Sequence, residues 1–298
     1  MPKLLTRFVS SAAILLFATS PFLSSGCSSS KPIIPAAVLV HEGYAEALKL
    51  YNNKEYQAAA LNLESLIFTS RATALEDDAL YLLAQSYYHS KQYLLATDMF
   101  SRLLQQMPSS PYARTSQFML AKSYEQLSPP VELDQQHTLK AIDNFAAYLE
   151  LYPMTDSAKI AQDVETYREL LKINPTNTSY KQSYSTATQQ FARVDSLRYS
   201  NKAIVALREK LAKSVLVVAR HYVQLGKYQA AGLFYDKLIT HYGDTSSVKD
   251  AFEEKITVLI KREKWFDAAN TLDTYLQFFP ERKKEMQRVK ENIAQHIK

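Results

Sequence analysis

The amino-acid sequence predicts an all-α protein built as a solenoid of repeated helix pairs. Glycine occurs only 5 times in 298 residues whereas tyrosine occurs 20 times, and a chain poor in glycine favours packed helices over sheets and turns. Apolar residues recur at spacings of three and four, as in Leu80, Leu83, Ala84 and Tyr87, which is typical of a helix with one buried face. Because this pattern returns several times along the chain, internal repeats are expected.

Five segments can be aligned on an alanine that has a larger residue four positions after it and, in four of the segments, an aromatic residue three positions before it. Aligned on the alanine, they are Tyr56-x-x-Ala59-x-x-x-Leu63, Tyr93-x-x-Ala96-x-x-x-Phe100, Ala141-x-x-x-Phe145, Tyr228-x-x-Ala231-x-x-x-Tyr235 and Trp265-x-x-Ala268-x-x-x-Leu272. The small alanine lets one helix approach its neighbour closely, and the flanking side chains fill the remaining gap. Proline follows three of the segments, at Pro108, Pro153 and Pro280, and ends the helix because it cannot continue one.

This arrangement resembles the tetratricopeptide repeat, a helix pair with a period of 34 residues. The resemblance implies about five helix pairs, which stack because no pair can bury its apolar face alone. The distance from Ala141 to Ala231 is too long for a single repeat, so we predict two modules. The predicted divisions are an N-terminal module of three repeats over 40–172, a linker or marginal helix over 173–200, and a C-terminal module of two repeats and a capping helix over 201–298.

The first 26 residues have the layout of an export signal. Lys3 and Arg7 precede a short apolar stretch, which falls below the roughly 20 residues that a transmembrane helix needs. Small residues then lead to Cys27, and this ending resembles the lipobox of bacterial lipoproteins. The resemblance implies a signal peptide over 1–26, and a lipidated Cys27 with a flexible tether over 27–39. It also favours the periplasmic face of the outer membrane, because Ser28 replaces the aspartate of inner-membrane retention. An ordinary secreted leader with an incidental cysteine is the alternative.

Composition and motifs argue against several function classes. The net charge of +5 falls to about +3 once Lys3 and Arg7 leave with the leader, which is too weak and dispersed for a nucleic-acid partner. The six histidines show no ligand spacing, and no phosphate-binding loop or nucleophile motif occurs. For His137 and Asp134, a hydrogen bond in a surface loop is a better interpretation than acid–base catalysis. We therefore expect a protein that is not an enzyme and uses neither a metal nor a cofactor.

One face of the second and third repeats is predicted to line a peptide-binding groove. The tetratricopeptide frame places eight residues on this inner face, namely Asp78, Tyr81, Gln85, Tyr88, Thr115, Phe118, Lys122 and Glu125. Aromatic and amide side chains on a concave helical surface suit an extended peptide. An ordinary surface position is an equally good interpretation for any single one of them.

Longer stretches resemble the BamD-type lipoproteins of the outer-membrane β-barrel assembly machinery. The matching segments are 77–88, 108–113, 118–124, 133–145, 207–212 and 226–231. The resemblance implies a lipid-anchored scaffold that binds the periplasmic domains of the barrel-assembly protein and, through the N-terminal groove, unfolded segments of outer-membrane proteins. The region from about 165 to 203 is longer than the usual connection of this family. A repeat lipoprotein that organises cell-wall synthesis or envelope integrity is the alternative.

The C-terminal end is predicted to carry a docking surface for the barrel-assembly protein. Residues 281–298 are expected to continue as one helix, with an apolar stripe that caps the fifth repeat. Its basic face would meet an acidic partner through Arg282, Lys283, Lys284 and Arg288. A solvated capping helix is the alternative interpretation.

Overall fold

The computed structural model describes residues 36–153 and 157–297, which form twelve α-helices and one 3-10 helix, with no strand among them. The α-helices are α1 Ala36–Asn52, α2 Tyr56–Thr69, α3 Glu76–His89, α4 Tyr93–Gln106, α5 Ala113–Leu127, α6 Gln136–Leu151, α7 Ser157–Ile173, α8 Thr178–Gln224, α9 Tyr228–His241, α10 Ser247–Lys261, α11 Trp265–Phe278 and α12 Gln287–His296. The predicted all-α tetratricopeptide-repeat fold is confirmed. The signal peptide and Cys27 lie outside the described residues.

Each predicted repeat corresponds to a pair of neighbouring helices. The pairs are α1 with α2, α3 with α4, α5 with α6, the second half of α8 with α9, and α10 with α11. A further pair, α7 with the first half of α8, stands between the third and fourth repeats. The five alanines that aligned the repeats, Ala59, Ala96, Ala141, Ala231 and Ala268, are all 0% exposed, as close packing of the two helices requires.

The turn between the two helices of a repeat has one geometry in four of the repeats. Lys54, Lys91, Gly226 and Glu263 have φ values of 66°, 64°, 69° and 57°, and each stands two residues before the aromatic residue that opens the motif. A residue in this left-handed region closes a helix because the amides that follow it bond back to the last turn. In the third repeat, the loop 128–135 replaces this turn.

The segment 173–200, predicted as a linker or marginal helix, is helical from Thr178 onward. The side chain of Asn177 accepts a hydrogen bond of 3.0 Å from the amide of Tyr180 and so caps the start of α8. Polar residues dominate here, but a stripe of buried residues continues at helical spacing, through Ala187, Val194, Leu197, Ser200, Ala203 and Leu207. This stripe packs on α6 and α7, so burial of one narrow face holds the helix.

Three consecutive residues in the middle of α8 connect it to elements on both sides. Arg208 pairs with Asp244 at 2.5 Å, and Lys210 donates a hydrogen bond of 2.8 Å to Ser128 in the loop after α5. Glu209 accepts hydrogen bonds from Ser246 at the start of α10. Burial alone would raise the pKa of Glu209, but the hydrogen bonds from Ser246 and Ser247 and the charge of Lys213 together lower the pKa. The middle of α8 is therefore tied to the third repeat and to the fifth.

Two predicted boundaries are corrected by the structure. The tether was predicted to reach residue 39, but α1 begins at Ala36. The predicted continuous C-terminal helix is divided into a 3-10 helix, Pro280–Lys283, and α12, Gln287–His296. Pro280 stands at the start of the 3-10 helix, where its fixed φ angle fits and its missing amide hydrogen costs nothing. Ile293 of α12 is 2% exposed and packs on the C-terminal core.

Candidate functional site: the inner face of the N-terminal repeats

The eight predicted groove residues lie on α3 and α5, the first helices of the second and third repeats. Gln85 is 7% exposed, Thr115 is exposed, and the other six are half-buried. Their side chains are therefore accessible from one side while the helices fix their positions. We call this strip the N-terminal inner face, and it includes Tyr44 on α1, which contributes to the surroundings of Asp78.

The start of α3 gives the N-terminal inner face an acidic end. The hydroxyl of Tyr112 donates a hydrogen bond of 2.5 Å to Asp78, and the hydroxyl of Ser110 donates one of 2.8 Å to Asp77. Neither carboxylate forms an ion pair with any described residue. The hydrogen bond to Asp78, together with burial, raises the pKa of Tyr112, and burial followed by the charges of Asp78 and Asp77 raises the pKa of Tyr44. Among the residues that the structure describes, no basic side chain pairs with the carboxylates at this end.

The middle of the N-terminal inner face is aromatic. The rings of Tyr81 and Tyr112 stack with their centroids 4.3 Å apart and their planes 12° apart. The side-chain amide of Gln85 donates a hydrogen bond of 2.8 Å to the hydroxyl of Tyr81. Because Gln85 is nearly buried and holds Tyr81, the ring has a fixed orientation. Such a ring offers contact area to a ligand at a small entropy cost.

The far end of the N-terminal inner face is built around the ammonium group of Lys122. This group lies 4.9 Å from the ring centroid of Tyr199, 5.8 Å from that of Phe118 and 6.0 Å from that of Tyr88. At these distances the ring faces attract the cation. The hydroxyl of Tyr199 donates a hydrogen bond of 2.6 Å to Glu125. Tyr199 belongs to α8, so the long helix contributes to the groove of the third repeat.

Sequence reasoning missed Tyr44, Tyr112 and Tyr199. Tyr44 occupies in the first repeat the position that Tyr81 has in the second, so extending the repeat frame by one repeat finds it. Tyr112 precedes α5 and reaches Asp78 of the preceding repeat. Tyr199 lies in the segment predicted as a linker or marginal helix, and no local pattern connects it to Glu125.

The predicted docking residues at the C-terminal end differ in their surroundings. Arg282 is half-buried and pairs with Glu253 at 3.4 Å and Glu285 at 2.5 Å. Lys283, Lys284 and Arg288 are exposed and have no ion-pair partner among the described residues. The free basic surface is therefore smaller than the predicted one.

The described residues contain no group of three or more His, Cys, Asp or Glu side chains that could hold a metal ion. His137 faces the ring of Tyr124 at 6.1 Å, and Asp134 accepts a hydrogen bond from the amide of Gln136. Asp134 thus supports the start of α6. Of the helices described between residues 36 and 297, none is both long enough and apolar enough to cross a bilayer.

Known proteins support the resemblance that the sequence indicated. Residues 37–174 match the family model described as YfiO, outer membrane lipoprotein. Proteins named outer membrane protein assembly factor BamD, from Neisseria meningitidis serogroup B and Neisseria gonorrhoeae, are 26% identical over 187 residues, which is 58% of this chain and 68% of theirs. The resemblance to BamD-type lipoproteins is confirmed. The match to this family model runs from the second residue of α1 to the end of α7, and it contains the inner-face residues of the first three repeats.

Solved tetratricopeptide-repeat structures also align with the chain. One from Parabacteroides merdae covers 86% of this chain and 96% of its own, with 13% identity and a TM-score of 0.33. One from Thermus thermophilus covers 74% of this chain and 99% of its own, with 16% identity and a TM-score of 0.29. These overlaps are loose, so the fold assignment rests on the helices and turns of this chain.

Proposed function

We propose that this protein is a scaffold in the assembly of β-barrel proteins of the outer membrane, and that it catalyses no reaction. The observation that carries the proposal is the BamD-type match over 37–174, which contains every predicted groove residue. The named relatives are assembly factors of outer-membrane proteins.

The N-terminal inner face is proposed to bind unfolded segments of outer-membrane proteins. Asp77 and Asp78 supply carboxylates without a cationic partner among the described residues, which suit basic side chains of a bound segment. Tyr81 and Tyr112 supply stacked rings for its apolar side chains. An unfolded segment loses conformational freedom on binding, so its affinity stays modest for the area that it buries. Modest affinity suits a scaffold that must release its substrate.

Cys27 is proposed to hold the protein at the periplasmic face of the outer membrane. Each buried methylene of an acyl chain contributes about 0.8 kcal/mol, so two or three chains give lasting attachment. Eight residues, 28–35, separate this cysteine from the start of α1. The anchor would therefore keep the N-terminal repeats close to the membrane surface.

The C-terminal module is proposed to dock on the periplasmic domains of the barrel-assembly protein. The free cations Lys283, Lys284 and Arg288 would meet an acidic surface of that partner. Exposed charges of this kind mainly accelerate association and select the partner.

Co-purification from native envelopes tests the proposal. The parent protein, the Cys27→Ser variant and a Ser29→Ala control are expressed at equal levels, and membranes are washed with salt. We expect the parent and the control to remain in the membrane and to bring down a large β-barrel protein with periplasmic domains, whereas Cys27→Ser is released. Retention of Cys27→Ser contradicts the anchor. Peptidoglycan-linked partners without a barrel protein contradict the assembly role.

A further inference from the structure

The third-repeat part of the N-terminal inner face already holds a side chain of the same protein. Tyr199 of α8 lies against Phe118, Lys122 and Glu125, three of the residues predicted from the repeat frame to face a ligand. Its hydroxyl donates to Glu125 at 2.6 Å, its ring centroid lies 5.7 Å from that of Phe118, and the planes meet at 81°. The ring also lies 6.0 Å from Phe145, which is fully buried.

These contacts complement a tyrosine in all its parts. Two of the contacts require an aromatic ring. Phe118 meets the ring of Tyr199 edge to face, and the ammonium group of Lys122 lies over that ring. Glu125 accepts from its hydroxyl. An aliphatic side chain would use none of the electrostatic contacts, and a phenylalanine would use all except the hydrogen bond.

Tyr199 is only partly enclosed by the residues around it. Its side chain is 37% exposed, and the one hydrogen bond of its hydroxyl is to Glu125. The residues that anchor α8 nearby are Leu197 and Ser200, which are 3% and 0% exposed. Rotation about χ1 of Tyr199 would therefore move the ring into solvent while the helix stays in position.

We infer that Tyr88, Phe118, Lys122 and Glu125 form a subsite for an aromatic side chain, that Tyr199 fills it in the free protein, and that a tyrosine of the bound unfolded segment takes its place. The inference rests on the proposed binding of unfolded segments and adds the chemistry of one recognised side chain. Tyr199 then acts as an internal competitor. It reduces the fraction of protein molecules with an open subsite, and the apparent affinity for the peptide falls in proportion to that fraction.

Binding of short unstructured peptides to the full chain tests the inference. Three synthetic peptides differ only at a central residue, which is tyrosine, phenylalanine or alanine. Tyr199→Ala should bind the tyrosine peptide about tenfold more tightly than the parent does, because the competitor is gone. Tyr199→Phe should bind it about threefold more tightly, since only the hydrogen bond to Glu125 is lost. Tyr184→Ala, on the same helix but fifteen residues away beside Arg168 of α7, should bind as the parent does.

The outcomes separate the inference from the proposed function. In Tyr199→Ala the order of affinity should be tyrosine, then phenylalanine, then alanine. Equal affinity of Tyr199→Ala and parent for the tyrosine peptide, or no discrimination among the peptides, overturns the inference, while the proposed function stands if the parent binds them. Absence of binding by every variant overturns both. Thermal unfolding monitors the fold, and Tyr199→Phe decides the matter if Tyr199→Ala is unfolded.

Discussion

The first three repeats and the last two present different chemistry at equivalent inner-face positions. The positions compared are those of Asp78, Tyr81, Gln85 and Tyr88 in the second repeat, counted back from the repeat alanine. In the first repeat they are occupied by His41, Tyr44, Leu48 and Tyr51. In the fourth repeat they are occupied by Lys213, Leu216, Arg220 and Val223, and in the fifth by Asp250, Glu253, Thr257 and Ile260. Tyrosines thus occupy two of these four positions in each of the first two repeats, whereas the fourth and fifth repeats have aliphatic and charged residues and one threonine there.

The charges of the C-terminal inner face balance one another. Arg220 pairs with Glu254 at 2.6 Å and with Asp250 at 3.1 Å. These pairs are partly exposed and contribute little to stability, but each of the two carboxylates has a cationic partner. On the N-terminal inner face, Asp77 and Asp78 accept hydrogen bonds from neutral hydroxyls.

A tyrosine–carboxylate contact recurs in both modules with different surroundings. Tyr275 donates a hydrogen bond of 2.5 Å to Glu253, and Arg282 donates one of 3.4 Å to the same carboxylate oxygen. Burial, followed by this hydrogen bond, raises the pKa of Tyr275 to about 12. The corresponding contact from Tyr112 to Asp78 has no arginine among the described residues. The same repeat architecture therefore places a carboxylate beside an arginine in the fifth repeat and, among the described residues, beside a tyrosine hydroxyl without an arginine in the second.

Removing two aromatic rings from the N-terminal inner face should have the largest effect on peptide binding. Tyr88→Ala combined with Phe118→Ala is expected to weaken peptide binding about 30-fold, because aromatic anchors carry much of the energy of an interface. Helical circular dichroism should remain largely intact, since both residues are half-buried. Val223→Ala, at the equivalent of Tyr88, is the control and should keep the parent affinity. A large loss of helicity would show that the pair belongs to the core.

Neutralising a single carboxylate should have a smaller effect on peptide binding, and it should differ between the two inner faces. Asp78→Asn is expected to weaken binding of a peptide with a lysine or arginine about fivefold, as loss of one partly exposed charge contact implies. The effect should shrink at high salt. Asp250→Asn, its equivalent in the fifth repeat, should leave the affinity unchanged. Equal losses in both variants, measured by isothermal titration, would contradict the contrast between the modules.

Charge reversal at the C-terminal end should change association kinetics with the barrel-assembly protein. Lys283→Glu, Lys284→Glu and Arg288→Glu together are expected to slow association severalfold at low salt, with little change in unfolding temperature. Arg282→Glu should lower the unfolding temperature instead, because it removes the pairs with Glu253 and Glu285. Unchanged association of the triple variant would show that this surface takes no part in docking.

The smallest expected effect is a pH dependence of stability from His89. Burial, and then the charge of Lys122, lowers its pKa below the ordinary value of 6.5. The unfolded chain then takes up a proton at higher pH than the folded one, so stability is fully present above 6.5 and declines as pH falls through that value. Urea midpoints at about pH 7.5 and about pH 5.5 should show this decline, and His89→Gln should reduce it. If stability declines as much in His89→Gln as in the parent, other titratable groups cause the decline.

Local, periodic features of this fold could be predicted from the sequence. The repeat alanines recur because each must fit between two close helices, and all five are fully buried. The inner-face positions follow from the same frame, which is why α3 and α5 present the predicted residues.

Contacts between distant residues could not be predicted. Tyr199 meets Glu125 across 74 residues, and its helix shows only a narrow apolar stripe diluted by Ser, Thr and Gln. Arg282 has a local partner in Glu285, but its second partner Glu253 lies on α10, 29 residues away. In both cases stacking of helices, and not local pattern, decides which side chains meet.

Site-specific photo-cross-linking in native envelopes tests the central claim most directly. A photoreactive residue replaces Tyr81 on the N-terminal inner face or, in a matched variant, Thr257 on the C-terminal inner face. The N-terminal position should cross-link to unfolded outer-membrane proteins during their synthesis, and the C-terminal position should not. Cross-links from Thr257 alone, or from both positions at equal yield, would contradict the assignment of substrate binding to the N-terminal inner face.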